Sequence, residues 1–292
     1  MLLATVRALR PKQWTKNGLL FAALIFSEKY TDLDAVRNVL LGFSLFCMIS
    51  SSGYLVNDLR DVEADRLHPK KKNRPIAAGE VPFGFAWGLA GVLMVVGIGG
   101  AFWLNYGFGL TAASYLVVTL TYSTFFKHTV VLDVMLIATG FVLRAVAGAE
   151  AIPVISSPWF LTCTAFGALF IGFSKRLAEI RSLGDAAGAH RKILDEYSIP
   201  MLEQFIAIMT GCAIISYALY AVDSGHGPAM MLTVPFVIYG ILRVMYLVER
   251  GEGGAPEMML LKDRPLQACL LLFGATAILV MRYGPEAMGG LQ

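Results

Sequence analysis

Three aspartates stand at the end of an apolar stretch with a spacing that suits a cation site on a helix. Asp58, Asp61 and Asp65 follow the apolar run that ends at Val56, and Asn57 stands four residues before Asp61. Residues three or four apart share a helix face, so a continuous helix is predicted to align these oxygens on one stripe. Because like charges so placed repel, a compensating cation is expected, and Mg²⁺ takes such oxygen ligands and is commonly shared with substrate phosphates. A solvated helix end is the alternative interpretation.

A basic connector follows the carboxylates. Between positions 68 and 75 it offers five cations or hydrogen-bond donors, namely His68, Lys70, Lys71, Lys72 and Arg74. A divalent cation together with Lys and Arg side chains is the combination that a diphosphate needs. Attraction of the lysines to anionic lipid headgroups is the other interpretation.

The rest of the chain consists of elements that would hold these residues at a membrane surface. Of its 292 residues 57% are hydrophobic and only 15% are charged, against about a quarter charged in soluble domains. Apolar blocks of bilayer-spanning length predict nine spans, at about 18–27, 39–56, 83–104, 108–126, 130–152, 159–173, 201–222, 230–248 and 266–281. We therefore expect an all-α polytopic membrane protein with one domain over residues 1–292. Glycine pairs such as Gly84 and Gly88 are predicted to let helices approach closely.

The distribution of positive charge predicts the orientation. With nine spans and a cytoplasmic N-terminus, 20 of the 24 lysines and arginines fall on the cytoplasmic side, as the positive-inside rule requires. The long polar loops at 57–82 and 174–200 lie on that same side and are expected to cap the active site. A net charge of +3 with no basic run among aromatics argues against a nucleic-acid partner. The four cysteines lie in apolar blocks without a CxxC pair, so burial as small hydrophobes is expected.

The motif Asn57-Asp58-x-x-Asp61-x-x-x-Asp65, followed by Arg74-Pro75-Ile76-Ala77-Ala78-Gly79, resembles the UbiA superfamily of intramembrane prenyltransferases. Residues 10–17, 122–128 and 141–148 are similar to the branch of that superfamily that transfers phosphoribosyl groups to polyprenyl phosphates. The resemblance covers nearly the whole chain. It implies nine helices around a central cavity in the cytoplasmic (inner) membrane, Mg²⁺ with Mn²⁺ as the alternative, and phosphoribosyl pyrophosphate and a polyprenyl phosphate as substrates. It further suggests arabinose donors for cell-envelope polysaccharide as the product's use.

One departure from the wider superfamily is informative. Members that use prenyl diphosphates carry a second aspartate-rich motif after the sixth span, but residues 174–181 here hold one carboxylate and three cations. Such a segment cannot form a second carboxylate clamp, although it can hold a phosphate. This favours two phosphate-bearing substrates over prenylation of an aromatic acceptor.

These patterns assign roles to individual residues. Asp58, Asp61 and Asp65 are the predicted catalytic residues, and with Asn57 they are the predicted metal ligands. The expected nucleophile is an anionic lipid phosphate, so no strong general base is required, and catalysis rests on positioning and on stabilising the leaving diphosphate. The predicted substrate-binding residues are Lys16, Asn57, His68, Lys70, Arg74, Tyr122, Lys127, Arg144, Lys175 and Arg176.

Several of these assignments have structural alternatives. Lys16 is as well placed for a lipid headgroup as for a substrate, and Tyr122 could be an interfacial anchor. Arg144 lies inside an apolar span, where a charge costs roughly 3 kcal/mol and requires a partner. We expect an anion there, with structural pairing to a second-span carboxylate slightly favoured over a substrate phosphate. Asp133 lies three turns away, too distant to pair with it.

Two other functions remain open from the sequence. An aromatic prenyltransferase would need the missing second carboxylate cluster. A transporter of a phosphorylated lipid or solute would also use a cationic cavity, but it gives no reason for three aligned carboxylates. Membrane lipid is an expected partner in every case, and a homo-oligomer is left open.

Overall fold

The computed structural model describes residues 1–68, 71–152, 154–183, 192–225, 228–251, 259 and 262–289, and the described residues form helices and turns without strands. The α-helices are α1 (Leu2–Ala8), α2 (Phe21–Phe26), α3 (Leu33–Arg60), α4 (Val62–Leu67), α5 (Phe83–Leu104), α6 (Tyr106–Thr121), α7 (Leu132–Glu150), α8 (Pro158–Leu183), α9 (Ile199–Asp223), α10 (Val234–Glu249) and α11 (Arg264–Gly289). Short 3₁₀ segments cover Pro11–Leu20, Lys29–Thr31, Lys71–Asn73, Lys192–Glu196 and Pro228–Thr233, and a π-helix covers Tyr122–Phe126.

Eight helices in the described part of the chain are long and apolar enough to cross a membrane. They are α3 and α5 to α11, α6 being extended by the π-helix and α10 by the preceding 3₁₀ turn, and they match eight of the nine predicted spans. The predicted span at 18–27 is instead the end of the 3₁₀ helix Pro11–Leu20 followed by the six-residue α2. Since about 20 helical residues are needed to cross a bilayer, this segment does not qualify by length, and the nine-helix architecture is compatible with the structure without being counted directly.

Large apolar side chains on the spans face outward. Val95, Trp103 and Leu271 are 73%, 81% and 75% exposed. Water would make such exposure costly, whereas lipid tails are as apolar as the side chains themselves. All four cysteines are free thiols, two buried and two half-buried.

The chain forms two compact units. The first contains Met1–Lys127 and Thr139–Ser156, and the second contains His128–Ala138 and Ser157–Gln292, so α7 contributes its first residues to one unit and the remainder to the other. The single functional domain predicted from the sequence stays a prediction.

The first unit is built around α3. Phe46 of α3 is fully buried and packs edge-on against Phe108 and at a tilt against Tyr115 of α6, with ring centroids 5.6 Å and 5.2 Å apart. Helix α5 approaches α3 closely at Gly97, where a Cβ would lie 2.7 Å from Ile49, and at Gly100. The predicted contact at the Gly84 and Gly88 pair is wrong, because a Cβ there meets no described atom within 4 Å.

The N-terminal segment also packs on the first unit. Ala4 and Ala8 of α1 join Leu55 and Leu59 of α3 in one buried cluster that includes Ile76 from the loop after the basic connector. This packing brings the residues around position 10 to the cytoplasmic-side end of α3 predicted from the sequence.

The core of the second unit is formed by α8, α9 and α10. Phe170, Phe173 and Leu177 of α8 pack with Leu202 of α9 and Leu247 of α10. Phe173 and Phe205 contribute an aromatic pair with centroids 5.1 Å apart.

Gly148 of α7 gives a direct test of the close packing in the first unit. A Cβ at this position would lie 2.2 Å from the backbone carbonyl oxygen of Leu20, and backbone cannot move aside as a side chain can. We expect Gly148→Ala to destabilise the protein by about 1–3 kcal/mol through overpacking, measured as thermal unfolding in detergent. Gly91→Ala, where a Cβ has open space, is the matched control, and equal melting temperatures for the two variants would contradict the packing described.

Candidate active site

The acidic motif does not lie on one uninterrupted helix. Helix α3 ends at Arg60, Asp61 adopts φ −92° and ψ 7°, and α4 begins at Val62. Two backbone hydrogen bonds of helical type are kept: Asp61 N–H donates to the Asn57 carbonyl (3.0 Å), and Asp65 N–H donates to the Asp61 carbonyl (2.8 Å). The chain therefore bends here without losing these hydrogen bonds. The three carboxylates of Asp58, Asp61 and Asp65, hereafter the carboxylate cluster, are therefore not one simple stripe.

Arg74 joins two members of the carboxylate cluster. Its Nη1 donates to Asp58 Oδ1 at 3.0 Å and to Asp65 Oδ2 at 2.6 Å. Both aspartate side chains are only 3% exposed. The turn Lys71–Asn73 delivers the arginine to this position, and Arg74 N–H donates to the Lys71 carbonyl at 2.9 Å. The two carboxylates thus converge on a single positive centre.

Asp61 has a different cation. Lys127 Nζ lies 2.6 Å from Asp61 Oδ1, and both side chains are 26% exposed. Lys127 directly follows the π-helix Tyr122–Phe126, an element that occurs often at functional sites. The structure therefore brings together the predicted residues Asp61 and Lys127 from positions far apart in the chain.

Arg10 contacts the carboxylate cluster, although it was not among the site residues predicted from the sequence. Its Nη2 donates to Asp58 Oδ1 at 2.6 Å, and its guanidinium lies over the Tyr54 ring at 5.1 Å. Its backbone is left-handed, with φ 55° and ψ 59°, a conformation that costs a non-glycine residue roughly 1–2 kcal/mol. The only sequence signal was its place in the 10–17 stretch, where Lys16 alone received a role.

The electrostatics of the site follow from these pairs. Three carboxylates face three cations, Arg10, Arg74 and Lys127, so the repulsion expected between the aspartates is compensated within the protein. Burial raises the pKa of Asp65 above its ordinary value, and the nearby Arg74 guanidinium opposes that increase. The cations predicted to hold phosphate are thus found on the carboxylates predicted to hold metal.

The remaining predicted residues of this region lie around the carboxylate cluster. Asn57 is half-buried at the start of the motif, and Lys16 and Tyr122 are half-buried in the 3₁₀ helix and at the start of the π-helix. His68 Nδ1 accepts a hydrogen bond from Lys71 N–H at 3.2 Å, which shapes the connector. Lys70 lies outside the described residues.

The donor set fits a hard cation. Asp58 Oδ1 and Asp65 Oδ2 both lie within 3.0 Å of one positively charged nitrogen, so oxygens already converge on a cation position. Among the described residues no group of three or more His, Cys, Asp or Glu side chains is assembled as a metal site. Metal binding by Asn57, Asp58, Asp61 and Asp65 therefore stays a prediction, and it requires the protein cations to change partners.

Arg144 is held by neutral groups. Its Nε donates to Asn17 Oδ1 at 2.8 Å, its Nη2 to Tyr115 Oη at 2.7 Å, and its Nη1 to the Gly140 carbonyl at 2.8 Å. The residue is 4% exposed, and the Tyr115 ring lies 4.6 Å from the guanidinium. The predicted pairing of Arg144 with a carboxylate of the second span is wrong, because the partners that the structure describes are neutral. Asn17 links Arg144 to that span by donating to Ser50 Oγ at 3.2 Å.

A second buried ion pair lies in the other unit. Arg176 Nε donates to Asp133 Oδ2 at 3.1 Å, and Arg176 Nη1 donates to Glu179 at 2.9 Å. Tyr197 donates to Asp133 Oδ1 at 2.8 Å and accepts from Val131 N–H at 2.6 Å. Burial, reinforced by the bond to Asp133, raises the pKa of the Tyr197 phenol, so it remains a donor. Asp133, excluded as a partner for Arg144, is the partner of Arg176.

Lys175 differs from its neighbour Arg176. It is half-buried and forms no ion pair with any residue in the described part of the chain. Of the two predicted phosphate-binding residues of α8, Arg176 therefore has ion-pair partners among the described residues, and Lys175 has none there.

The helical spans define a polytopic membrane protein. Its carboxylate cluster and the three cations paired with it lie where α3 ends. The sequence profile of the UbiA prenyltransferase family matches residues 18–262. The chain belongs to the UbiA prenyltransferase family, which confirms the resemblance seen in the sequence, and it is a membrane transferase.

Comparison with individual proteins agrees with this assignment. The chain is 38% identical over 288 residues to a decaprenyl-phosphate phosphoribosyltransferase of Mycolicibacterium smegmatis, covering 93% of this chain and 90% of the relative. It is 42% identical over 278 residues to the enzyme of that name from Corynebacterium glutamicum, covering 91% and 83%. The fold is similar to that of a UbiA homolog from Archaeoglobus fulgidus bound to GPP and Mg²⁺, with a TM-score of 0.70, 20% identity, and 96% and 99% of the two chains covered.

The neutral surroundings of Arg144 predict a structural role. Arg144→Met would leave Asn17 Oδ1 and Tyr115 Oη without a described partner, at a cost of about 1–3 kcal/mol for each buried group. We expect a clear fall in melting temperature, with the control Arg37→Met, at an exposed ion pair, close to wild type. If Arg144→Met unfolds like the control but fails to bind a phosphate substrate, Arg144 contacts the substrate instead.

The Arg176–Asp133 pair can be tested by a double-mutant cycle. Arg176→Met removes the guanidinium from the buried Asp133 carboxylate, which we expect to cost about 3–5 kcal/mol, and the double variant with Asp133→Leu should lose less than the sum of the single variants. The exposed pair Arg37–Asp34, whose atoms are also 3.1 Å apart, is the matched control and should show almost no coupling. Additive losses in chemical unfolding at Arg176 and Asp133 would show that the pair is not coupled.

Proposed function

We propose that this protein transfers the 5-phosphoribosyl group of phosphoribosyl pyrophosphate to a polyprenyl phosphate of the decaprenyl type and releases pyrophosphate. The observation that carries the proposal is the carboxylate cluster with its three matched cations, in a chain whose phosphoribosyltransferase relatives align over at least 91% of its length. A site that binds a diphosphate with a metal ion needs carboxylates for the metal and cations for the phosphate oxygens close together. The carboxylate cluster and its three paired cations meet this requirement.

Mg²⁺, with Mn²⁺ as the alternative, is the proposed cofactor. Asp58, Asp61, Asp65 and Asn57 would hold it, since their oxygens are the ligands that this ion prefers. When bound, it would neutralise negative charge on the diphosphate. The Archaeoglobus fulgidus homolog that binds GPP and Mg²⁺ supports a diphosphate–metal pair in this fold.

The chain's own cations provide the positioning. An oxygen of the lipid phosphate forms a bond to the anomeric carbon of the ribose, the bond from that carbon to pyrophosphate breaks, and the electron pair leaves with pyrophosphate. The nucleophile is already anionic, so no side chain needs to remove a proton. Arg74 and Lys127 hold phosphate oxygens and thereby reduce the repulsion between two polyanions.

Several finer assignments belong to the same proposal. The distribution of Lys and Arg supports a cytoplasmic N-terminus and a cytoplasmic active site in the inner membrane. The loops at 57–82 and 174–200 are proposed to cap the site. Phosphate binding by Lys16, His68, Lys70, Tyr122, Lys175 and Arg176, a homo-oligomer, and a role in supplying arabinose for the cell envelope stay predictions.

A reconstituted transfer assay tests the proposal. Purified protein with labelled phosphoribosyl pyrophosphate, polyprenyl phosphate and Mg²⁺ should produce labelled lipid, and chelation of the metal should abolish it. Asp61→Asn should lower the rate by about 10²-fold or more, as the loss of one electrostatic group in an active site does. Glu63→Gln is the control, since Glu63 lies two residues away with its side chain 82% exposed and should retain wild-type rates.

The same assay separates the alternatives. Transfer from a labelled prenyl diphosphate to an aromatic acid would replace the proposal with an aromatic prenyltransferase. Movement of a phosphorylated lipid or solute across vesicles, without any covalent product, would instead identify a transporter.

A further inference from the structure

We propose that Arg10 is a third diphosphate-binding cation of the candidate active site, held on Asp58 until a divalent metal takes that carboxylate. The inference rests on the proposed function and adds to it a residue from the N-terminal segment. Its ligand chemistry is a phosphate group, and we assign that group to the phosphoribosyl donor.

The contacts of Asp58 single out Arg10. Asp58 Oδ1 accepts from Arg10 Nη2 at 2.6 Å and from Arg74 Nη1 at 3.0 Å, but Arg74 makes its shorter bond, at 2.6 Å, to Asp65. Arg10 is therefore the principal cation of Asp58, as Lys127 is of Asp61. Each of the three carboxylates thus has a protein cation at 2.6 Å: Arg10 for Asp58, Lys127 for Asp61 and Arg74 for Asp65.

The cations can move whereas the two buried carboxylates cannot. The side chains of Arg10, Arg74 and Lys127 are each 26% exposed, while those of Asp58 and Asp65 are 3% exposed. A guanidinium at the edge of the site can turn toward a bound anion without unfolding its surroundings. The Tyr54 ring, 5.1 Å from the Arg10 guanidinium, offers a surface that holds the cation during this change of partner.

The backbone around Arg10 is fixed in an unfavourable conformation. Arg10 is left-handed with φ 55°, a conformation that glycine or asparagine would adopt more readily. Ser51 Oγ of α3 donates to the Leu9 carbonyl at 2.9 Å and accepts from Trp14 Nε1 at 3.0 Å, so the chain is attached to α3 on both sides of Arg10. Strain maintained in this way is typical of positions that serve a function.

The charge balance predicts that metal and donor bind together. A divalent metal alone must displace three cations that then repel it, and a diphosphate alone meets three carboxylates. With both bound, Asp58, Asp61 and Asp65 would hold the metal and the three cations would turn to the phosphate oxygens, so each ligand would strengthen the binding of the other. Removing Arg10 should therefore affect the two ligands in opposite directions.

Direct binding measurements on the full chain in detergent test this inference. We expect Arg10→Asn, which suits the left-handed backbone but removes the charge, to bind Mn²⁺ alone several-fold more tightly, measured by electron paramagnetic resonance. The same variant should bind phosphoribosyl pyrophosphate in the presence of Mg²⁺ about 10-fold or more weakly, the loss expected for a charge-assisted hydrogen bond. Its KM for the donor should rise while its KM for the lipid phosphate stays unchanged.

Further variants complete the experiment. Arg7→Asn, at an exposed arginine of α1 that pairs with Glu80, should behave as wild type in every measurement. Arg10→Lys keeps the charge and should retain wild-type weak binding of Mn²⁺ alone, with a smaller loss of donor affinity. Arg10→Gly, which also suits the left-handed backbone and removes the charge, replaces Arg10→Asn if that variant does not fold.

The opposing outcomes are distinct. Weaker binding of both Mn²⁺ and donor in Arg10→Asn would mean that Arg10 only supports the structure, and unchanged binding of both would remove it from the site. A higher KM for the lipid alone would assign its phosphate to the acceptor and overturn the inference. If wild-type protein binds no donor with Mg²⁺ and transfers no label, the proposed function itself fails, whereas wild-type transfer with an unaffected Arg10→Asn contradicts only this inference.

Discussion

The C-terminal end of α3 depends on the neutralisation of three carboxylates that repel one another. Asp58 and Asp65 are almost completely buried, and an uncompensated charge there would be costly because low-dielectric surroundings favour neither ionised group. The compensating positive charges come from three separate parts of the chain, as Arg10, Arg74 and Lys127. The fold of the first unit is consequently organised so that the N-terminal segment, the loop after α4 and the end of the π-helix all reach one helix terminus.

The apolar framework makes these long-range pairs possible. Gly148 lets α7 approach the backbone at Leu20, and Arg144 of α7 binds Asn17 in the same segment, which in turn contacts Ser50 of α3. Trp14 and Ser51 attach that segment to α3 at the next residue toward the carboxylate cluster. The backbone of Arg10 is thus positioned by hydrogen bonds inside the membrane region, and the strain in its left-handed conformation is offset by contacts elsewhere.

The helical spans could be predicted from the sequence because a helix that crosses lipid needs a long run of apolar residues. Helix α5, for example, was found at its predicted bounds, 83–104. The carboxylates and two of their cations, Arg74 and Lys127, could also be predicted because charged residue types are rare in this chain. Their pairing could not, since it depends on contacts across 16 and 66 residues of sequence. The contact of Arg10 with Asp58 and the Arg176–Asp133 pair were missed for the same reason. Local spacing indicates which helix face a residue occupies, but it does not indicate which distant side chain that residue contacts. The bend at Asp61 was missed because the spacing was interpreted as one continuous helix.

Exposure separates four arginines discussed above, Arg10, Arg74, Arg144 and Arg176, into two kinds. Arg144 and Arg176 are 4% and 3% exposed, and Arg144 bonds to Asn17 and Tyr115 while Arg176 bonds to Asp133, all of which are buried. Moving either arginine would therefore take a hydrogen bond from a buried polar group. Arg10 and Arg74 lie at the edge of a carboxylate cluster, with a quarter of each side chain exposed, and they can leave when another cation replaces them. A charged residue in a membrane protein is usually a functional candidate. For these four arginines, burial among protein partners favours a structural role for Arg144 and Arg176, and partial exposure at the carboxylate cluster is the basis for proposing that Arg10 and Arg74 exchange partners with a ligand.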